Sequence, residues 1–162
     1  MANTQALCSS FKKELLTGDH RLYASTLSAA RAATTTPVAD SLKAALYLAS
    51  ATINATTGVY TVTGEVTGTG YTAGGVAVTA ATAPAVAQSV ITGDTAYWTP
   101  SASIVYSGVT LSTSFDCLLI YNSTQGNKAI SVHTFTAQTI TAGTLTLTMP
   151  TNNATTGLIR LA

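Results

Sequence analysis

From Val59 onward the chain is a succession of short alternating or β-branched runs separated by Gly, Asn and Pro, and this pattern limits the folds open to it. Val59–Thr63, Val76–Thr79, Ser89–Thr92, Ala96–Thr99, Ser103–Tyr106, Cys117–Tyr121, Ala129–Phe135, Thr139–Met149 and Leu158–Leu161 each read as a strand. Cys117–Tyr121 (CLLIY) is apolar throughout, as in a strand buried on both faces. With the turn Asn122–Asn127 and the run Ala129–Phe135 it predicts a hairpin. In Thr139–Met149, threonines 144, 146 and 148 alternate with Leu145, Leu147 and Met149, giving one core face and one neutral threonine ladder. Near-regular spacing of short strands predicts a sandwich, barrel or jelly roll.

The first quarter is written differently. Ser9-Ser10 before Phe11–Leu16, with Thr17-Gly18 after, predicts a capped short helix whose inner face carries Leu7, Phe11 and Leu15. Leu22–Ala33 is Ala-rich and compatible with helix, and Thr34–Pro37 breaks it; the same stretch reads equally well as a mobile or partner-ordered insertion. Leu42, Ala44, Leu46 and Leu48 alternate as a strand does, although Ala and Leu also permit a helix. The expected fold is mainly β, a single-domain β-sandwich or jelly-roll-like body over 41–162, with a short N-terminal helix or arm and an insertion in 1–40.

At 162 residues the chain can bury a core without a metal or disulfide staple. Only 8% of residues are charged, against about 25% in an ordinary soluble domain. The net charge of +1 gives little protection against association. Interface cores are poor in Lys, Glu and Asp, so this composition suits a surface covered by neighbouring subunits. The charges are also segregated: residues 1–43 hold Lys12, Lys13, Glu14, Asp19, Arg21, Arg31, Asp40 and Lys43, and the rest of the chain holds only Glu65, Asp94, Asp116, Lys128 and Arg160. Residues 1–43, and Phe11, Lys12, Lys13, Leu15 and Leu16 in particular, are therefore the expected subunit contact. Loss of residues 1–16 is expected to abolish association while leaving the body folded.

Several function classes find no support. No basic run tracks a phosphate backbone, so no nucleic acid is expected. No stretch approaches the roughly 20 apolar residues of a membrane span, and no secretory signal is visible, so no membrane partner is expected. Cys8 and Cys117 form no metal or redox motif and read as reduced thiols. The Gly-rich stretch Gly64–Gly75 is followed by strand-like Val76–Thr79, not by the helix a dinucleotide site needs, so it reads as a long connection. His20 and His133 lack a nucleophile motif to serve, and Glu65, Asp94 and Asp116 have no pairing suggested by their spacing. Catalytic residues, metal ligands and cofactors are accordingly expected to be none. Three Asn-x-Thr matches, at Asn54, Asn122 and Asn153, are unremarkable in a Thr-rich chain. Tyr97-Trp98 is the first pair to inspect for a carbohydrate platform.

The chain resembles a family of small structural proteins of tailed bacteriophages. The resemblance lies in Ser10–Gly18, Leu42–Thr52, Thr63–Gly75, Leu118–Ser123, Asn127–Ala129 and Leu158–Ala162; residues 21–41 look like an insertion and 83–115 match poorly. It implies a virion component with no catalytic residues. The first expectation is a capsid decoration (cement) protein bound to the major capsid protein as a homo-oligomer on the particle. A head–tail connector or tail-associated subunit comes next, and a carbohydrate-binding host-adhesion module is the rival from another class.

Overall fold

The computed structural model describes residues 2–23, 39–80, 84–87 and 95–161. Among them are β1 (Ala6–Leu7), α1 (Ser9–Thr17), β2 (Leu42–Leu48), β3 (Val76–Val78), β4 (Ala85–Ala87), β5 (Thr95–Trp98), β6 (Ile104–Asn122), β7 (Lys128–Leu147) and β8 (Ile159–Leu161). The protein is mainly β, as its alternation predicts. A five-stranded antiparallel sheet has the order β1-β7-β6-β2-β3, and a three-stranded sheet has the order β4-β5-β8.

The strands are less even than the sequence suggests. Ser103–Tyr106 and Cys117–Tyr121 belong to one 19-residue strand, and Ala129–Phe135 and most of Thr139–Met149 to one of 20 residues. Gly108, between the first two runs, and Gly143, inside the last, sit within the long strands and do not end them. Register slips absorb them. Between Leu111 and Phe115, β6 advances four residues while its partner moves only from Ile140 to Gln138; between Phe115 and Cys117 the imbalance reverses, from Gln138 to Thr134. Such bulges bend and twist a ribbon.

Beyond that bend the hairpin packs against the glycine-rich connection between β2 and β3. Tyr106 stacks on Tyr71 at 5.8 Å between ring centroids, and Thr69 forms an isolated bridge with Thr110. Gly68 permits the approach: a Cβ there would lie 2.1 Å from the Thr110 carbonyl oxygen.

Val59–Thr63 is not a strand. Only Val59 bridges to Lys128, and Thr61 gives its carbonyl to the Tyr47 phenol at 2.6 Å, not to a strand partner. Ser89–Thr92 lies outside the described residues, as does Leu22–Ala33 from position 24 on; Leu22 and Tyr23 are not helical.

The helix forms where expected, but its start differs. Cys8 is the N-cap and makes no side-chain cap bond, while Ser10 Oγ is buried with no partner among the described residues. The entry is held by backbone bonds to the β body instead, Cys8 N–H to Ile130 O at 3.0 Å and Ser9 N–H to Ala55 O at 2.8 Å. Gly18, at φ 75°, ends the helix in the left-handed conformation, with its N–H on Leu15 O and that of Asp19 on Glu14 O. The core is continuous, running from Cys8 and Phe11 through β2, β6 and β7 to Trp98 and Ile159.

Candidate functional site

The five expected contact residues divide sharply by exposure. Phe11 is 0% exposed and its ring meets His20 edge-on at 4.8 Å, so it serves its own core and is closed to a partner. Leu15 is half-buried against the same core. Lys12 and Lys13 are exposed, and Leu16 is 90% exposed. A helix with one buried stripe must present the rest of its circumference outward.

The N-terminal segment is also no detachable arm. Asn3 uses its carboxamide to join the Leu48 carbonyl at 3.0 Å, the Asp116 carboxylate at 2.6 Å and the Ile53 N–H at 2.9 Å. Cys8 and Phe11 lie in the main core. Removing residues 1–16 would take these bonds and core side chains with it, which argues against a body that survives the deletion unchanged.

Much of the segregated charge is spent within the chain. Asn122, the last residue of β6, directs Nδ2 at His20 Nδ1 (3.0 Å) and Asp40 Oδ2 (2.7 Å). Its Oδ1 accepts the Thr124 and Gln125 N–H groups, which fixes the amide orientation. His20 Nδ1 must then accept, leaving Nε2 to donate to Glu14 Oε2 at 2.7 Å. Lys128 reaches Asp19 at 2.7 Å and Glu14 at 3.6 Å. The Asp19 contact lowers the Asp19 carboxyl pKa and raises that of Lys128. Charge complementarity here is internal, between the end of α1 and the hairpin turn.

Glu65 is 6% exposed and sits among tyrosines. One oxygen accepts the Tyr71 phenol and the Gly74 N–H, each at 2.7 Å, and the other accepts the Tyr60 phenol at 2.6 Å. Tyr60 stacks on Tyr121 at 4.7 Å, and Tyr121 donates to Gly74 O at 2.8 Å. Burial, followed by the Glu65 carboxylate, pushes the Tyr60 and Tyr71 phenols well above their ordinary pKa of 10.0. The cage ties the glycine-rich connection to β2 and β6. Its three donors occupy the carboxylate, which leaves an architectural anchor in place of a general base.

His133 and Ser131 lie on one face of β7, 2.9 Å apart, and border a cleft of about 450 Å³ with Gln5, Leu7, Leu158 and Arg160. Desolvation lowers the His133 pKa from 6.5 to about 4. Such an imidazole is neutral at pH 7 but a weak base, and Ser131 is only 2% exposed. Among the described residues no carboxylate hydrogen-bonds to His133, so the pair lacks the parts of a hydrolytic triad. Asp116 is held by Asn3, and Asp94 lies outside the described residues. The described residues contain no group of three metal-ligating side chains and no helix long and apolar enough to cross a membrane. Trp98 is 1% exposed, so Tyr97-Trp98 offers no open aromatic platform. Cys8 and Cys117 are free, and burial raises both thiols to about 12.

The surface that stands apart is the far part of the β6–β7 hairpin. Exposed side chains there include Val105, Ser107, Thr113, Thr139, Thr144 and Thr146, and residues 104–115 and 134–148 contain no Asp, Glu, Lys or Arg. At the bend, three consecutive β6 residues (112–114) and four β7 residues (136–139) are exposed, so neither face of the ribbon is covered there. The threonine ladder was readable from alternation; the double exposure at the bend depends on bulges and was not.

No protein-family model, no curated protein and no solved structure matches this chain.

Proposed function

We propose that the chain is a non-enzymatic structural subunit of a tailed-bacteriophage particle, acting as a capsid decoration protein bound across major capsid subunits. The observation that carries this reading is the long, exposed, charge-free ribbon of the β6–β7 hairpin. A free surface ordinarily carries mixed charges for solubility. A neutral hydroxyl and methyl surface instead suits burial against neighbours, because few charges must be desolvated. The occupied state of Glu65 and the weak basicity of His133 agree with a role without catalysis. So does the motif resemblance at Ser10–Gly18 and Thr63–Gly75.

The mechanism is static. Each bound copy adds interface that shell expansion or internal pressure must break, at roughly 25 cal/mol per Å² of apolar area before binding costs are subtracted. Repetition over a lattice multiplies a weak contact. Quantitative mass spectrometry of purified particles tests the reading. Copies in the hundreds support decoration. A single ring's worth assigns the chain to a connector or tail instead, and absence from the particle ends the proposal.

A further inference from the structure

The His20 side chain is 0% exposed, and each of its ring nitrogens has a partner. Three segments meet at the ring: α1 through Glu14, the approach to β2 through Asp40, and the end of β6 through Asn122. Asn122 is the hub. Its Nδ2 serves His20 Nδ1 at 3.0 Å and Asp40 Oδ2 at 2.7 Å, while its Oδ1 is committed to the Thr124 and Gln125 N–H groups. Asp40 Oδ2 also accepts the Arg21 N–H at 2.7 Å.

This arrangement admits only a neutral ring. A proton added at Nδ1 sets an N–H against the Asn122 NH₂ group, two donors with no acceptor between them. Turning the amide over does not resolve the conflict. The NH₂ group would then face two N–H donors, and Oδ1 would face the Asp40 carboxylate. The surrounding charges pull the other way. Glu14 accepts from Nε2 at 2.7 Å, and Asp40 is held by the same Nδ2 atom as the ring, so an imidazolium has an anion on each side. The other charged or titratable groups around the ring are Asp19 and Lys128, paired at 2.7 Å, Arg21 next in sequence, and Tyr97 in the cleft that His20 shares with Leu15 and Trp98.

We propose that His20 is a proton-operated exchange point: on protonation its Nδ1 leaves Asn122 and donates to Asp40, so that acid moves the tie at the end of α1 from β6 to the approach to β2. The proton comes from solvent and rests on Nδ1. Nε2–H stays on Glu14, and the Lys128–Asp19 contact persists in both states. The helix therefore remains folded, and only its link to Asn122 is broken.

Nitrogen-15 NMR of the full chain between pH 8 and 5, the range in which imidazoles change charge, tests it. At pH 8 His20 should show a bare Nδ1 and a protonated Nε2. At pH 5 both nitrogens should carry protons, and the Asn122 side-chain amide resonances should move in step with the ring. His133 serves as an internal reference, because desolvation keeps it neutral down to about 4. His20→Gln keeps a donor and an acceptor but cannot titrate, so its Asn122 amide should not move over this range. Solvent exchange of that amide at pH 5 should be at least tenfold faster in the native chain than in His20→Gln, and equal in the two at pH 8. Asp40→Asn removes the receiving anion and should shift the native midpoint to lower pH. A ring protonated on Nδ1 at pH 8, or still neutral at pH 5, overturns the proposal. So does an Asn122 amide that ignores the ring's titration, or a midpoint unmoved in Asp40→Asn. Should either variant fail to fold, the ring and amide titrations of the native chain decide alone.

Discussion

Tyr106, near the far end of the long hairpin, donates its phenol to the carbonyl of Ala44 at 2.6 Å, across 62 positions of sequence. Both groups are buried. The bond closes the bent hairpin onto β2. Tyr106→Phe keeps the ring and its stack on Tyr71 but leaves a buried acceptor short of a partner. The expected cost is about 1–3 kcal/mol, read as a lower urea midpoint at unchanged slope.

The phenols of Tyr47, Tyr60, Tyr71, Tyr106 and Tyr121 are all raised above 10.0, with desolvation as the leading cause in each. The native state thus holds these protons more tightly than the unfolded chain. Their contribution to stability is intact below pH 10 and is lost as pH climbs above it. Ultraviolet titration should show these five ionising late, in step with loss of the native circular dichroism signal. Early, fully reversible ionisation of all five with the fold intact would contradict the buried placement. Glu65→Ala should unfold at lower pH than the native chain, since it leaves Tyr60, Tyr71 and Gly74 N–H without their acceptor.

His133 gives the opposite sign. Its pKa falls from 6.5 to about 4 on folding, so the neutral imidazole stabilises the native state above pH 6.5, and that stability drains away as pH drops toward 4. NMR titration of the ring protons should place His133 well below an ordinary histidine. His133→Gln should flatten the pH dependence of stability between 6.5 and 4.

The element types were legible in the sequence, and the reasons are local. Alternation over Leu42–Leu48, the apolar run at Cys117–Tyr121 and the Gly18 stop each reflect one physical rule that acts within a few residues. The three Asn-x-Thr matches have a local cause too: Asn54, Asn122 and Asn153 each accept the N–H two residues on, so the pattern marks side-chain turns. The merging of four expected strands into β6 and β7 was not legible, because it depends on register slips between residues about 20 to 40 positions apart. The Glu65 cage escaped as well. Its tyrosines come from positions 60 and 71, with Tyr121 behind them, and the available hint was a lone carboxylate in an uncharged stretch.

Burial makes the two cysteines a probe of folding. Desolvation raises Cys8 and Cys117 to about 12, with a further push from Glu14 on Cys8 and from Asp116 on Cys117. The thiolate is the reactive form, so both should resist alkylation at pH 8 in the native protein and react at once in denaturant. Rapid native labelling of either would place it outside the core.

The N-terminal helix sets a buried side chain, Phe11, and an exposed one, Leu16, five residues apart. Phe11→Ala removes a fully buried ring and should cost about 3–5 kcal/mol, and deletion of residues 1–16 should cost more, because it also takes Cys8 and the Asn3 clamp. Leu16→Ala should change stability by less than about 0.5 kcal/mol, since the side chain is 90% exposed. If the exposed side of α1 also meets a neighbouring subunit, Leu16→Asp with Lys12→Glu and Lys13→Glu should reduce co-sedimentation with particles at an unchanged melting temperature. Equal co-sedimentation of this triple variant would remove the helix from the contact surface.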